Sequence, residues 1–401
     1  MTRVLVLTPQ LPYPPQQGTS LRNYHLLRAL ARHHSVTLLS FAEPDRPREL
    51  EPLQAIGRVL PPVDVPPRSG ADRLAQLLTS GDPDLALRLR SDEYTAALTN
   101  ALQADVYDAV QIEGIELARY IRVVREVAPG ARIILDCHNA ETELQRRSLR
   151  ADWRRPSRWA AAAYSALQVG RLARFERWAT ATADAAIAVS ETDRDHLLAL
   201  GGATESTIIV IPNTIDVAEY AQSGPVPDAL RFDLVFTGKM DYRPNIDGVL
   251  WFAQEVWPLI KRARPETTWA IVGQRPHPRL EPLRDLDGVT LTGRVPETQP
   301  YLHGCRVYIV PLRIGSGTRL KLIEAMAAGK TIISTTVGAE GFPVVDGEVI
   351  RLADDPATWA RLALDLLDDA AERERLGTAA RRFAAGYDWR EIVPLLDALP
   401  L

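Results

Sequence analysis

The stretch Val310-Pro-Leu-Arg-Ile-Gly-Ser-Gly-Thr-Arg-Leu-Lys-Leu-Ile-Glu-Ala-Met-Ala-Ala-Gly-Lys330 reads as a buried strand, a glycine loop and a helix in direct succession. The strand is expected to end at Pro311, and the helix to start around Thr318. Gly315 and Gly317 remove side chains where backbone N–H groups can approach a diphosphate. On a helix, Gly317, Leu320/Lys321 and Glu324 share one face. Glu324 would then sit just beyond an anion held at the helix start, where a carboxylate suits ribose hydroxyls. The plainer alternative is an ordinary strand–helix unit in which Glu324 pairs with Lys321.

Working outward, short apolar runs alternate with helix-like stretches on both sides. Predicted strands are Val4–Leu7, Val36–Phe41, Ala109–Ile112, Ile133–Asp136, Ala185–Val189 and Ile208–Ile211, then Leu234–Thr237, Thr268–Val272, Val289–Leu291, Val307–Val310, Thr331–Thr335 and Val349–Leu352. Runs with so little polar alternation fit parallel strands buried on both faces. Predicted helices include Leu21–His33, Thr192–Leu200, Ile246–Lys261 and Leu320–Ala328. Two such series predict an α/β protein of two parallel-sheet domains. The boundaries read as 1–213 for the first domain, 214–231 for a linker and 232–385 for the second. The closing stretch, about 386–401, reads as a last helix. Pro61–Gly70 reads as a surface loop.

The length of 401 residues fits two domains. A hydrophobic share of 46% and a charged share of 24% exclude wholesale disorder. A net charge of −4 does not suggest a nucleic-acid binder. Of the 47 basic side chains only four are lysine, at 239, 261, 321 and 330. The arginine excess fits either a GC-rich genome or anion recognition. Cys137 and Cys305 are too few and too far apart for a disulfide framework or a zinc cluster, so a cytoplasmic setting is expected. No run approaches the roughly 20 apolar residues of a membrane span.

Four further segments carry candidate chemistry. The loop Thr8–Ser20 is proline-rich until Gly18, which lets backbone approach a ligand ahead of a helix; an ordinary connection is the alternative. The absence of GxGxxG there weighs against a nicotinamide dehydrogenase. Asp136, His138, Asn139 and Glu141 follow a buried strand, the usual ligand address in open α/β sheets. A metal reading of them is weak without a second histidine. Lys239 and Arg243, in Phe236-Thr-Gly-Lys-Met-Asp-Tyr-Arg-Pro-Asn245, are cations at another strand end, suited to neutralising a leaving diphosphate or merely solvated. Between Leu144 and Trp178, nine arginines face only Asp152 and Glu176, a net +7 interleaved with Trp153, Trp159 and Trp178. That pattern fits a solvated helix face or contact with an anionic membrane surface.

The chain resembles the retaining glycosyltransferase family 4, whose members have the GT-B fold, and within it the transferases of exopolysaccharide and surface-polysaccharide synthesis. The resemblance rests on Leu-Lys-Leu-Ile-Glu-Ala-Met-Ala-Ala-Gly (320–329), Ser-Thr-Thr-Val-Gly-Ala-Glu-Gly (334–341) and Gly-Lys-Met-Asp-Tyr-Arg-Pro-Asn (238–245). It implies two Rossmann-like domains facing a cleft and a last helix that crosses back to the first domain. It implies a nucleoside diphosphate sugar donor bound mainly by the second domain. Glu324 would hold the ribose, and the backbone around Gly317, Thr318, Arg319 and Leu320 would meet the diphosphate with Lys239 and Arg243, while Ser316 would lie on the donor where the family often has a Glu that binds sugar hydroxyls. Arg294 and Val295, in Gly293-Arg-Val-Pro-Glu, would read the base. Gly18 would face the diphosphate from the first domain, and His138 would contact the donor sugar. No metal or other cofactor is implied, and the acceptor would be a sugar, a lipid-linked or a small-molecule hydroxyl.

Two departures stand out. The family's Glu-x7-Glu has Ser316 at the first Glu, and its Gly-Arg-x4-Lys has Lys239 at the Arg and Pro244 at the Lys. Arg243 or Arg319 could replace the missing charge. A sugar-nucleotide epimerase or phosphorylase fits the same fold, and Ser316 favours a non-catalytic binding partner. Neither donor base, sugar, acceptor nor oligomeric state follows from the sequence.

Overall fold

The computed structural model describes residues 2–15, 18–44, 48–153, 159–222, 224–315 and 318–401. The chain forms two compact units: residues 1–214 with 389–401, and residues 215–388.

The first unit is built on strands β1 (Arg3–Thr8), β2 (Ser35–Ala42), β3 (Arg58–Val59), β4 (Val63–Asp64), β5 (Ala109–Glu113), β6 (Arg132–Cys137), β7 (Ala185–Ala188) and β8 (Ile208–Val210). Their order is β3-β2-β1-β5-β6-β7-β8, with β4 also beside β2, and each pairing is parallel. The unbroken apolar runs are explained by burial on both faces. Leu5 and Leu7 enter one core layer while Val4 and Val6 enter the other; Ile133 and Leu135 alternate with Ile134 in the same way. Strands β3 and β4 escape the sequence reading because two-residue edge strands leave no periodic signal; β4 lies inside the expected surface loop.

The closing stretch is a 3₁₀ turn, Trp389–Ile392, followed by the short helix Val393–Leu396. It belongs to the first unit, so the chain crosses back as expected. Trp389, Ile392, Leu396 and Leu399 join the layer of Val4, Val6, Leu26 and Leu30. Each such apolar side chain contributes about 1.5–3 kcal/mol when buried. The Arg28 guanidinium also sits 4.1 Å from the Trp389 ring centroid.

The second unit carries β9 (Phe232–Thr237), β10 (Trp269–Val272), β11 (Val289–Gly293), β12 (Cys305–Val310), β13 (Thr331–Ser334) and β14 (Arg351–Leu352). They run parallel in the order β11-β10-β9-β12-β13-β14. Both units are thus Rossmann-like. Two expectations change here. The helix expected over Ile246–Lys261 is interrupted by a π-helical segment, Phe252–Val256, before Trp257–Ala263. Pro258 supplies no N–H and its ring crowds the preceding turn, which the wider π geometry relieves. The expected linker, 214–231, is instead part of the second unit from Ile215 onward, with helix Val217–Ala221 and a 3₁₀ turn, Asp228–Leu230. Buried Tyr220 holds that helix to the unit. Among the described residues, no helix is long and apolar enough to cross a membrane.

Candidate functional site

In each sheet the strand order reverses at one point, between β1 and β5 in the first unit and between β9 and β12 in the second. Ligands of open α/β sheets bind beyond the carboxyl ends of strands at such points. The expected site residues fall largely at these two places.

In the second unit, Gly238 and Lys239 directly follow β9, and Arg243 opens the helix Arg243–Trp251. From neighbouring β12 the chain passes through Gly315 into the helix Leu320–Ala327. Ser316 and Gly317 lie outside the described residues. The helix begins at Leu320, the start of the predicted stretch Leu320–Ala328 and two residues past Thr318, with Arg319 in extended N-cap geometry (φ −99°, ψ 97°). Gly315 has φ +145°, and a Cβ there would meet the Arg319 guanidinium at 2.5 Å. Thus Arg319 folds over the glycine, and its backbone stays out of the helix. Thr318 packs in turn against Gly341.

Lys321 and Glu324 occupy the first turns of that helix, on the face the spacing predicts. They do not pair directly, as the plainer alternative required. Lys321 Nζ donates to Asn245 Oδ1 at 2.9 Å and lies 4.1 Å from the Phe236 ring centroid. Glu324 Oε1 accepts from the Tyr220 hydroxyl at 3.1 Å. Burial pushes the Glu324 carboxyl above its ordinary range, opposed by the Tyr220 bond and the Lys321 charge. Burial pulls the Lys321 ammonium down to about 7, opposed by Glu324. Lys239 is 39% exposed and 3.7 Å from Asp241. A half-exposed cation at a strand end can meet an anion at little desolvation cost. Arg294 and Val295 follow β11, two strands from β9 and so about 10 Å along the same sheet edge.

In the first unit, Gly18 is the first residue of the helix Gly18–Leu30 and is exposed. His138 follows β6 and heads a buried network. Its Nε2 lies 3.2 Å from Glu113 Oε2 and 3.8 Å from Asp136 Oδ2. Arg22 grips Asp136 through two bonds of 2.8 Å and also donates to the Ile211 carbonyl and Asn213 Oδ1 at 3.1 Å. Gln111 donates to Glu113 Oε1 at 2.6 Å. Burial raises the Glu113 carboxyl, with the neighbouring Asp136 charge adding to it. Burial would lower His138, but Glu113 and Asp136 outweigh it and hold the imidazole above its usual value. Glu113, Asp136 and His138 bring three potential ligand atoms within 4.8 Å of one another. Arg22 already supplies a positive charge there and occupies both Asp136 oxygens.

Asn139 and Glu141, read with His138 as one cluster, turn to each other, Asn139 Nδ2 donating to Glu141 Oε1 at 2.9 Å. The Glu141 and Thr142 amides donate to buried Glu176 at 2.9 and 3.1 Å, which satisfies the start of the helix Glu141–Trp153. Glu176 is therefore structural rather than one of two solvated acids in a basic stretch. A groove of about 750 Å³ lies at the opposite, amino-terminal edge of the first sheet, beside Asp105, Asp108 and Arg132. None of the expected site residues lines it.

Sequence reading missed Arg22, Gln111, Glu113, Asn213, Tyr220 and Asn245. Two signals were available. Arg22 is a charge on the apolar stripe of its helix, ahead of Leu26 and Ala29. Gln111 and Glu113 are polar residues inside a strand that is buried throughout.

Known families match both halves of the chain. Residues 17–214 match the model of the "Glycosyl transferase 4-like domain", and residues 231–369 that of "Glycosyl transferases group 1". Glycogen synthase of Mycobacterium tuberculosis is 26% identical over 227 residues, 54% of each chain. The chain spans about half the length of the curated relatives it matches. The fold is shared with sucrose-phosphate synthase of Thermosynechococcus elongatus (TM-score 0.71, 17% identity, 99% and 98% of the two chains). It is also shared with Anabaena Alr3699/HepE, solved with UDP and glucose (TM-score 0.67, 14% identity, 100% of both chains). With both halves matched in order and both sheets of the GT-B type, the chain belongs to the family 4 glycosyltransferases.

Proposed function

We propose that the protein is a retaining, metal-independent glycosyltransferase that moves a sugar from a nucleoside diphosphate sugar to an acceptor hydroxyl in polysaccharide or glycoconjugate synthesis at the cytoplasmic side. One observation carries the reading. At a single switch point, the second unit gathers Lys239, the helix start at 318–320 and a half-buried carboxylate, Glu324, one turn further on. These are the parts that a diphosphate and a ribose require.

In the proposed reaction, the bond between the anomeric carbon and the diphosphate breaks, and the acceptor oxygen bonds to that carbon from the same face. The acceptor proton passes to the leaving phosphate oxygen. Negative charge grows on the diphosphate, so Lys239, Arg243 and the backbone N–H groups at 318–320 stabilise the transition state. Glu324 positions the ribose, and Arg294 and Val295 the base. His138 is assigned to the donor sugar, the role the family resemblance gives it, and Gly18 to the diphosphate. The positive charge comes from side chains and helix-end dipoles, so the scheme needs no metal ion.

A thermal-shift panel of UDP-, GDP-, ADP- and dTDP-sugars tests the reading. One of the four should raise the melting temperature. Glu324→Ala and Lys239→Ala should each lower turnover at least tenfold without unfolding. No shift with any nucleotide would support a binding partner instead, and product formed from donor alone would support an epimerase or phosphorylase. Trp153 and Trp159, 67% and 61% exposed within the arginine-rich 144–178 stretch, favour peripheral contact with anionic lipid. Co-sedimentation with anionic liposomes should then fall with added salt.

A further inference from the structure

We propose that Lys321 is the cation that meets the leaving diphosphate in place of the one the motif lacks at Pro244, with Gly238 and Asn245 as its seat. The assignment rests on the nucleotide-sugar reading above and gives that site its central charge.

The seat is specific. A Cβ on Gly238 would lie 2.6 Å from Lys321 Nζ and 2.7 Å from Asn245 Nδ2, so any larger residue at the end of β9 must push the ammonium or the amide aside. Asn245 is 4% exposed and faces both ways. Its Oδ1 accepts from Lys321 at 2.9 Å, and its Nδ2 donates to the Lys239 carbonyl at 2.8 Å. One buried amide thus ties the loop of Lys239 to the helix of Lys321. The segment from Lys239 to Asn245 spans the place where the resembling motif carries its second cation, and Lys321 brings an ammonium to that segment from a different element.

The ammonium is also incompletely used. It has three donors, and among the described residues it gives one hydrogen bond, to a neutral amide, with the Phe236 ring beside it. No carboxylate among the described residues lies within ion-pair distance of it, and Glu324 is engaged with Tyr220. A lysine drawn from water without an ionic partner is costly to the fold alone and is stabilised by an arriving anion. Arg319, one of the substitutes that sequence proximity suggested, lies with its guanidinium over Gly315.

Isothermal titration of Lys321→Met and Gly238→Ala against UDP, GDP, ADP and dTDP, with the matching nucleosides as controls, tests the assignment. Gly238→Ala displaces the ammonium without removing it. The expected result is at least a tenfold loss of affinity for the diphosphate the wild type binds, in both variants, with nucleoside affinity changed less than threefold. Diphosphate affinity held within threefold would overturn the assignment. So would an equal loss of nucleoside and diphosphate, which marks a packing role. Should Lys321→Met fail to fold, Gly238→Ala decides by the same criteria. Binding of none of the four diphosphates by the wild type would instead overturn the nucleotide-sugar reading, and this assignment with it.

Discussion

The Tyr220 hydroxyl donates to Glu324 Oε1 at 3.1 Å, joining the first helix of the second unit to the helix that carries its candidate ribose ligand. The two residues are 104 positions apart. The bond occupies one oxygen of a carboxylate whose ionisation burial already opposes. Tyr220 is therefore a positioning residue, and it favours the charged form of Glu324.

Tyr220→Phe should move the acidic limb of nucleotide binding to higher pH. A carboxylate accepts ribose hydroxyls best when ionised, and the ionised fraction of Glu324 falls as pH drops through its folded pKa. Removing the phenol raises that pKa further, so affinity should be lost earlier on acidification. A hydrogen bond to a charged group contributes about 1.5–3 kcal/mol, and roughly a tenfold weaker affinity on the acidic limb is the expected size. Dissociation constants of the bound nucleotide from pH 5 to 9 provide the check. Coincident limbs in wild type and variant would show that Tyr220 does not govern Glu324.

The contrast between Glu324 and Tyr220 shows what was legible in the sequence. Strands buried on both faces leave unbroken apolar runs, and a strand, glycines and a helix in succession place Glu324 and Lys321 on one face by local geometry alone. Tyr220 sits in a stretch that reads as a linker because Gly224, Pro225 and Pro227 follow it. Its partner becomes near only when the sheet assembles. The same holds for Arg22, whose carboxylate lies 114 residues away, and for Lys321, whose partner Asn245 lies 76 residues earlier. Local periodicity reports faces, whereas pairings across a sheet depend on strand order.

Arg22→Met should destabilise the first unit by about 3–5 kcal/mol, because it leaves Asp136 buried without its cation. Both side chains are almost fully enclosed, at 3% and 0% exposure. Burial alone would raise the Asp136 pKa, but the charges of Arg22 and His138 outweigh it and hold it below the ordinary value. A depressed carboxylate contributes stability that is present above its unfolded value, about 3.9, and is lost as pH falls through the folded value. Without Arg22, burial pushes the Asp136 carboxyl up, so it is charged and unpaired at pH 7 and neutralised by pH 4; urea denaturation should therefore show a larger deficit for the variant at pH 7 than at pH 4. Asp136→Asn added to Arg22→Met should recover part of the loss.

Glu113→Gln should lower the imidazole pKa of His138 while leaving the fold in place. Burial disfavours the charged ring, and Glu113 and Asp136 compensate. Glutamine keeps a hydrogen-bonding atom near Nε2 but removes one of the two charges. The histidine should then lose its proton at lower pH. NMR titration of the His138 ring protons measures this directly, and an unmoved midpoint would show that Asp136 alone holds the ring.

Lys321→Met should make the unliganded protein more stable while weakening its diphosphate affinity. Burial draws the folded ammonium down to about 7, with Glu324 opposing and Arg319 assisting; the unfolded value is about 10.4. Between those values the unfolded chain holds a proton that the folded chain has released, so wild-type stability should rise as pH climbs from about 7 to about 10.4. Methionine fills similar space without a charge and removes that slope. Replacing a fully buried ionic group by an apolar one gains about 1–4 kcal/mol; Lys321 is half-buried, so a gain of about 1 kcal/mol is expected at pH 7, shrinking toward pH 10. Urea denaturation of both proteins at the two pH values, without nucleotide, supplies the comparison. A variant no more stable at pH 7, or one that keeps the wild-type slope, would mean that water reaches the ammonium and that its seat at Gly238 costs the fold nothing.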